Sequence, residues 1–178
     1  MSDSELIVRA ATRQDHAAFG ELVRRHQSAV RNFLRHLTRG DTATADDLAQ
    51  ETFVRAWQNL EKFQARSSFS TWLLGIAHNH WRNAHRRRRT LPVESHHLDQ
   101  LEPTPSSMPL SDLKEDLSRA LSLLAPEEQT ALHLCYQMGL SHSEIAEILD
   151  WPLGTVKTHI NRGKEKLRPL LASWNPQT

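Results

Sequence analysis

Residues 141–167 read SHSEIAEILDWPLGTVKTHINRGKEKL. With Val156 at zero on a helical wheel, Ile160, Gly163 and Leu167 fall within roughly 40° of it at about 100° per residue. They mark a buried stripe, and Gly163 on that stripe would let another helix approach closely. Opposite lie Thr158, Asn161, Arg162 and Glu165, with Lys157 and Arg168 on the shoulder. The preceding segment turns Ile145, Ala146, Ile148 and Leu149 inward. Asp150-Trp151-Pro152-Leu153-Gly154 is expected to form the turn, with Pro152 blocking continuation of the first helix. Two short helices in this order make a helix-turn-helix pattern, whose second helix enters the major groove of DNA.

The outer face of that second helix suits such a placement. Asn161 can bond both the acceptor and the donor of adenine, Arg and Lys reach guanine acceptors, and the Thr158 methyl can contact thymine. Lys164, Lys166 and Arg168 are expected to neutralise phosphates farther along. The competing reading is a solvated outer face of an ordinary helix, which the wheel alone leaves open.

Working outward, the 178-residue chain carries 22 basic and 21 acidic residues, so its net charge of +1 decides nothing. The distribution does. Residues 1–90 hold 15 Lys/Arg against 9 Asp/Glu, residues 91–116 hold one Lys against six acids, and residues 117–178 are balanced. Three blocks of different sign suggest three parts with different partners. Residues 91–111 carry four prolines (Pro92, Pro103, Pro105, Pro109) among Ser and acids, the composition of an extended acidic linker. On either side the apolar spacing is helical. Stripes run through Phe19, Leu22, Val23, Val30, Phe33, Leu34 and Leu37, through Leu48, Phe53, Trp57 and Leu60 with Thr44 as a candidate N-cap, and through Trp72, Leu73, Ile76 and Ala77. Beyond the linker, Pro126 opens a helix containing Leu132, Leu134 and Tyr136. The expected fold is all-α: two small helical domains, 1–90 and 112–178, joined by a Pro-rich linker, the second ending in the helix-turn-helix.

One cysteine, Cys135, provides neither a disulfide nor a Cys-based zinc site. No apolar run approaches the ~20 residues that span a bilayer, and the first ten residues have no signal-peptide core. The expectation is a cytoplasmic protein that is not itself embedded in the membrane.

Residues 69–90, FSTWLLGIAHNHWRNAHRRRRT, place two tryptophans, two asparagines and five arginines on one helix and its end. Trp72 lies on the apolar stripe and reads as core. The run Arg86–Arg89 fits a nucleic-acid patch and a solvated helix end equally well.

In order along the chain, three stretches resemble the extracytoplasmic-function sigma factors of bacterial RNA polymerase. DDLAQETFVRAW (Asp46–Trp57) is similar to the family's core-polymerase-binding helix. FQARSSFSTWLLGIAHNHWRN is similar to its promoter-melting, minus-10-reading segment. LAPEEQTALHLCYQMGLSHSEIAEIL followed by GTVKTHINRGKEKLR is similar to its minus-35-reading domain. By position, the resemblance implies that Asp47, Gln50, Glu51 and Arg55 face the clamp helices of the largest polymerase subunit. The loop Gln64, Ala65, Arg66, Ser67 and Ser68, with Asn79 and Asn83, would hold a base flipped from the non-template strand, while Arg82 and Arg86 hold the backbone. Lys157, Thr158, Asn161 and Arg162 would read the minus-35 element, with Thr155, His159 and Lys164 beside them. The resemblance further implies contact with the polymerase beta flap, promoter DNA as ligand and an anti-sigma factor as regulator. It implies no cofactor, metal or catalytic residue. His159, Asn161 and Gly163 depart from the family's common pattern, as do His78 and His80.

Two other classes compete. A stand-alone dimeric regulator would need a dimerisation surface, and no long heptad seam is present. A metal protein is invited by eleven histidines, but His78 and His80 point ~200° apart on a helix. No H-E-x-x-H or Gly-rich phosphate loop supports catalysis.

Overall fold

A computed structural model describes residues 1–90 and 120–172. The expected linker, 91–111, lies outside the described residues. Among the described residues there is no strand.

The N-terminal unit has four helices: α1 (Asp3–Arg13), α2 (His16–Leu37), α3 (Thr42–Gln58) and α4 (Phe69–Thr90), with a 3-10 turn at Leu60–Lys62. Helix α1 lies outside the apolar stripes that mark the other three helices. Its local signal is a capping box: Ser2 Oγ accepts from the Glu5 amide, and the Ser2 amide donates 2.7 Å to Glu5 Oε2. This satisfies two donors that a helix start leaves unpaired. Leu6 and Ala10 bury one side of α1, and Asp3 ties it to α2 through Arg25 and His26.

Helix α2 begins at Asp15, which accepts from the Ala18 amide at 3.0 Å. Its stripe of Leu22, Val30, Phe33 and Leu34 is fully buried, as the spacing predicts. It ends where Arg39 and Gly40 take positive φ (53° and 90°), a conformation glycine adopts without strain. The N-cap of α3 is Asp41, not Thr44. Asp41 accepts both the Thr44 amide (3.0 Å) and the Thr44 hydroxyl (2.6 Å), and the carboxylate is the stronger acceptor for an exposed helix N-terminus. Helix α4 starts at Ser68, whose Oγ accepts from the Thr71 amide at 3.0 Å. Leu73, Leu74 and Ala77 face the core, and Trp72 packs its ring against Phe63 and Phe69.

The C-terminal unit has α5 (Pro126–Leu132), a π-helical turn over His133–Gln137, α6 (His142–Leu149) and α7 (Leu153–Ala172). Pro126 occupies the first turn of α5, where its missing N–H costs nothing. The α-helix expected to contain Leu132, Leu134 and Tyr136 ends at Leu132, and the other two lie in the π turn; Leu132 and Leu134 are buried, while Tyr136 is 60% exposed. The π turn inserts an extra residue and swings that ring outward. Helix α6 carries a second capping box, Ser141 with Glu144, and stops at Asp150 in the left-handed region (φ 58°). Leu153 and Gly154 belong to the first turn of α7 rather than to the connecting turn. Pro152 contributes its carbonyl, which accepts from Thr155 and Val156.

The two units touch. Helix α6 lies along α4, and the π turn rests on α2, so buried residues of both units form one continuous core.

Candidate nucleic-acid interface

The sequence-expected residues fall on three surfaces. On α7, Val156 and Ile160 are buried with Gly163, leaving Lys157, Thr158, Asn161, Arg162 and Lys164 exposed on the outer side. Thr158 Oγ1 donates back to the Gly154 carbonyl at 2.8 Å. Lys164 Nζ sits 5.3 Å from the Tyr136 ring centre. Thr155 and His159 are half-buried, and His159 packs its ring 5.1 Å from Trp151. Lys166 is not a free phosphate contact. Its Nζ is bonded to both carboxylate oxygens of Glu128 (2.7 and 3.0 Å), a residue only 4% exposed. A buried carboxylate demands such a partner, and that partner comes from α5, beyond the reach of a wheel drawn for α7 alone.

On α3, Asp47, Gln50 and Arg55 are exposed and Glu51 half-exposed. Glu51 and Arg55 pair one turn apart at 2.8 Å. The same face holds Val54, 49% exposed, which is not among the residues expected there from sequence. The available signal was an apolar residue lying off the Leu48–Phe53–Trp57 stripe. His80 of α4 borders this face. Burial depresses its imidazole first, the Arg55 charge adds to that, and Glu51 opposes it.

On α4 and the loop before it, the candidates divide. Asn79, Asn83, Arg82 and Arg86 are exposed, as are Gln64, Ala65 and Arg66, with Ala65 at φ 52°. Ser68 is the α4 cap. Ser67 donates 2.7 Å to Glu147 of α6, Thr71 donates 3.1 Å to Glu144, and Arg82 lies 3.8 Å from Asp150. Thus α6 and its C-terminal end engage the Thr71–His78–Arg82 side of α4, while Asn79, Asn83 and Arg86 occupy the adjoining side. His78 on the covered side is pushed down to about 4, by burial first and then by the Arg82 charge, against the Ile148 backbone and Asp150, which favour its charged form.

Among the described residues, no group of three or more His, Cys, Asp or Glu side chains could hold a metal ion, and no helix is long and apolar enough to cross a membrane. The arrangement offers exposed hydrogen-bonding and basic side chains on rigid helices. Such surfaces suit hydrogen bonding and charge pairing along a polymer.

Among the described residues, made of helices and their connections, a helix-turn-helix, a second basic asparagine-bearing helix and a separate mixed-charge face are surfaces of the class seen in DNA-reading transcription proteins. The comparisons with known proteins give that class its family. Residues 22–90 match the family model described as sigma-70 region 2, and residues 114–167 match sigma-70 region 4. The chain is 32% identical over 189 residues to the ECF RNA polymerase sigma-E factor of Haemophilus influenzae, covering 96% of this chain and 98% of that protein. It is 35% identical over 167 residues to the ECF RNA polymerase sigma factor SigE of Mycolicibacterium smegmatis, covering 90% of this chain but 64% of that longer protein. Among solved structures it is similar to the sigma factor RpoE of Bartonella quintana in complex with the anti-sigma factor NepR. That match has a TM-score of 0.64 and 25% identity over 86% of this chain and 96% of that chain. The chain belongs to the ECF RNA polymerase sigma-factor family, whose members direct promoter-specific transcription initiation and are not enzymes.

Proposed function

We propose that this chain binds core RNA polymerase through the α3 face of Asp47, Gln50, Glu51, Val54 and Arg55, and brings two reading surfaces to promoter DNA. The loop 64–68 with Asn79 and Asn83 takes the minus-10 element, holding a flipped base by the donor and acceptor of each amide, while Arg82 and Arg86 neutralise phosphates. The outer face of α7, from Thr155 through Lys157, Thr158, His159, Asn161 and Arg162 to Lys164, reads the minus-35 element. Residues 1–90 and 112–178 act as the two functional units, with 91–111 between them. The work takes place in the cytoplasm, where polymerase and promoter are.

The observation that carries this reading is the exposure of Lys157, Thr158, Asn161 and Arg162 together on the side of α7 opposite its buried stripe. An anti-sigma factor is the expected regulator, supported by the relative solved in complex with one. The beta flap is the expected second polymerase contact.

Run-off transcription with purified core polymerase tests the reading, using the DNA upstream of this protein's own gene as template. A transcript that requires the protein and fades with the double variant Asn79→Ala, Asn161→Ala is the expected result. Absence of binding to core in a pull-down overturns it.

A further inference from the structure

The contact between the two units is built from histidines. On α2, Phe33 is fully buried, and its ring centre stands 6.5 Å from both His78 of α4 and His133 of the π turn. One turn along α2, His36 stacks on His133 with centres 4.2 Å apart and planes 10° from parallel. His133 Nε2 and His78 Nδ1 are buried without a hydrogen-bond partner. His78 shares its remaining polar contact with the backbone of Ile148, in the last turn of α6. Around this centre, Ser67, Thr71 and Arg82 meet Glu147, Glu144 and Asp150 of the C-terminal unit.

We propose that this contact is a closed resting state, held by neutral His36, His78 and His133, and that their protonation releases the C-terminal unit from Ser67 in the loop before α4 and from the side of α4 that carries Thr71 and Arg82. Two neutral imidazoles stack favourably. Two imidazolium rings at the same separation carry like charges in a poorly hydrated place.

The groups facing each ring set the direction. His133 meets His36 from α2 and the neutral Gln137 from its own turn; burial first, and His36 second, push it down to about 4. His36 is depressed by burial. His78 faces Arg82 on its own helix and Asp150 from α6, and Asp150 opposes the shift without cancelling it. The closed form therefore binds fewer protons than the open form between the ordinary histidine value of 6.5 and about 4. Closure is fully favoured above that window and weakens as the pH falls through it. The closed-to-open ratio changes up to about tenfold per pH unit for each histidine.

Opening frees Ser67 and Arg82, which the closed form pairs with carboxylates, but it makes no new base contact by itself. The device thus acts on how much of the minus-10 surface is available and needs no other ligand.

Small-angle X-ray scattering on the full chain, from pH 8 to pH 5 at constant ionic strength, tests the proposal. Far-UV circular dichroism on the same samples separates opening from unfolding. The expected result is a radius of gyration of roughly 16 Å at pH 8, the value for a compact chain of this length. It should rise as the pH falls below about 6.5 with unchanged helix content. The variants His133→Phe and His36→Phe, which keep an aromatic ring in the stack but cannot be protonated, should each flatten part of that rise. A radius independent of pH, an identical rise in both variants, or a rise that coincides with helix loss overturns the proposal. None of these outcomes depends on polymerase or promoter, so failure here leaves the transcription reading standing.

Discussion

Gly163 of α7 faces Leu132 of α5 so closely that a Cβ on it would stand 2.6 Å from Leu132 Cδ1. The glycine sits in mid-helix, where alanine is intrinsically better by about 1 kcal/mol. Leu132 Cδ1 is the end of a flexible side chain, but Cγ at 3.3 Å limits its retreat. Gly163→Ala should therefore change stability little, the two effects offsetting each other. Gly163→Val adds branched bulk to the same gap and should cost about 1–3 kcal/mol. Urea unfolding of the two variants checks the contrast.

The lysines of α7 should separate into two kinds. Lys166→Ala leaves the Glu128 carboxylate buried with only the Ala125 amide bonded to it, at a cost of about 1–3 kcal/mol in stability. Its effect on the salt dependence of binding to a minus-35 duplex should be small. Lys157→Ala should do the reverse, lowering the slope of log affinity against log salt by about one unit with stability unchanged. Parallel thermal melts and salt titrations with polymerase holoenzyme read both.

Val54 is an exposed apolar side chain in the middle of a polar face. Val54→Asp removes no core packing, so its melting temperature should match the parent within a degree or two. Binding to core polymerase should weaken at least tenfold, because an apolar centre ringed by polar groups is where interface energy concentrates. Competition for core against the unsubstituted chain measures it.

Ser67 and Ser68 are neighbours with different duties. Ser68→Ala deletes the cap of α4 and should cost about 1 kcal/mol. Ser67→Ala loses only an exposed hydrogen bond to Glu147, so its effect on stability should stay below about 0.5 kcal/mol. Chemical denaturation at pH 7.5 distinguishes the two.

His78 is 6% exposed, and burial first, with the Arg82 charge second, holds its imidazole down to about 4. Its depressed imidazole makes stability fall as pH drops from 6.5 toward about 4, with a ceiling of about 3 kcal/mol for a shift of that size. Replacing it by Phe should reduce the slope of stability against pH in that window. Denaturant midpoints at pH 7, 6 and 5 provide the check.

Much of this was legible before any coordinates. The stripe that put Gly163 among Val156, Ile160 and Leu167 is the stripe that α7 buries, because a helix has one period and one side to hide. Most candidates on α3 and α7 came out exposed for the same reason, with Glu51, Thr155 and His159 only partly so. What the sequence hid depends on partners far along the chain. Lys166 looks like any basic flank until α5 supplies Glu128. Thr44 and Asp41 are both good cap types, and only the position of the chain reversal at Arg39–Gly40 decides between them. The histidine contact between α2, α4 and the π turn has no local signature, since it exists only when the two units dock. Helix α1 is the exception, announced by Ser2-x-x-Glu5 and still passed over among the longer stripes.

Glu144 divides its two oxygens between two tasks. Oε2 accepts from the Ser141 amide and hydroxyl at the start of α6, while Oε1 accepts from Thr71 on α4. Withdrawing Thr71 leaves the Ser141 cap whole. An eight-residue helix too short to persist alone can thus leave its neighbour without fraying, so the reading head would travel as a finished tool rather than be rebuilt on arrival.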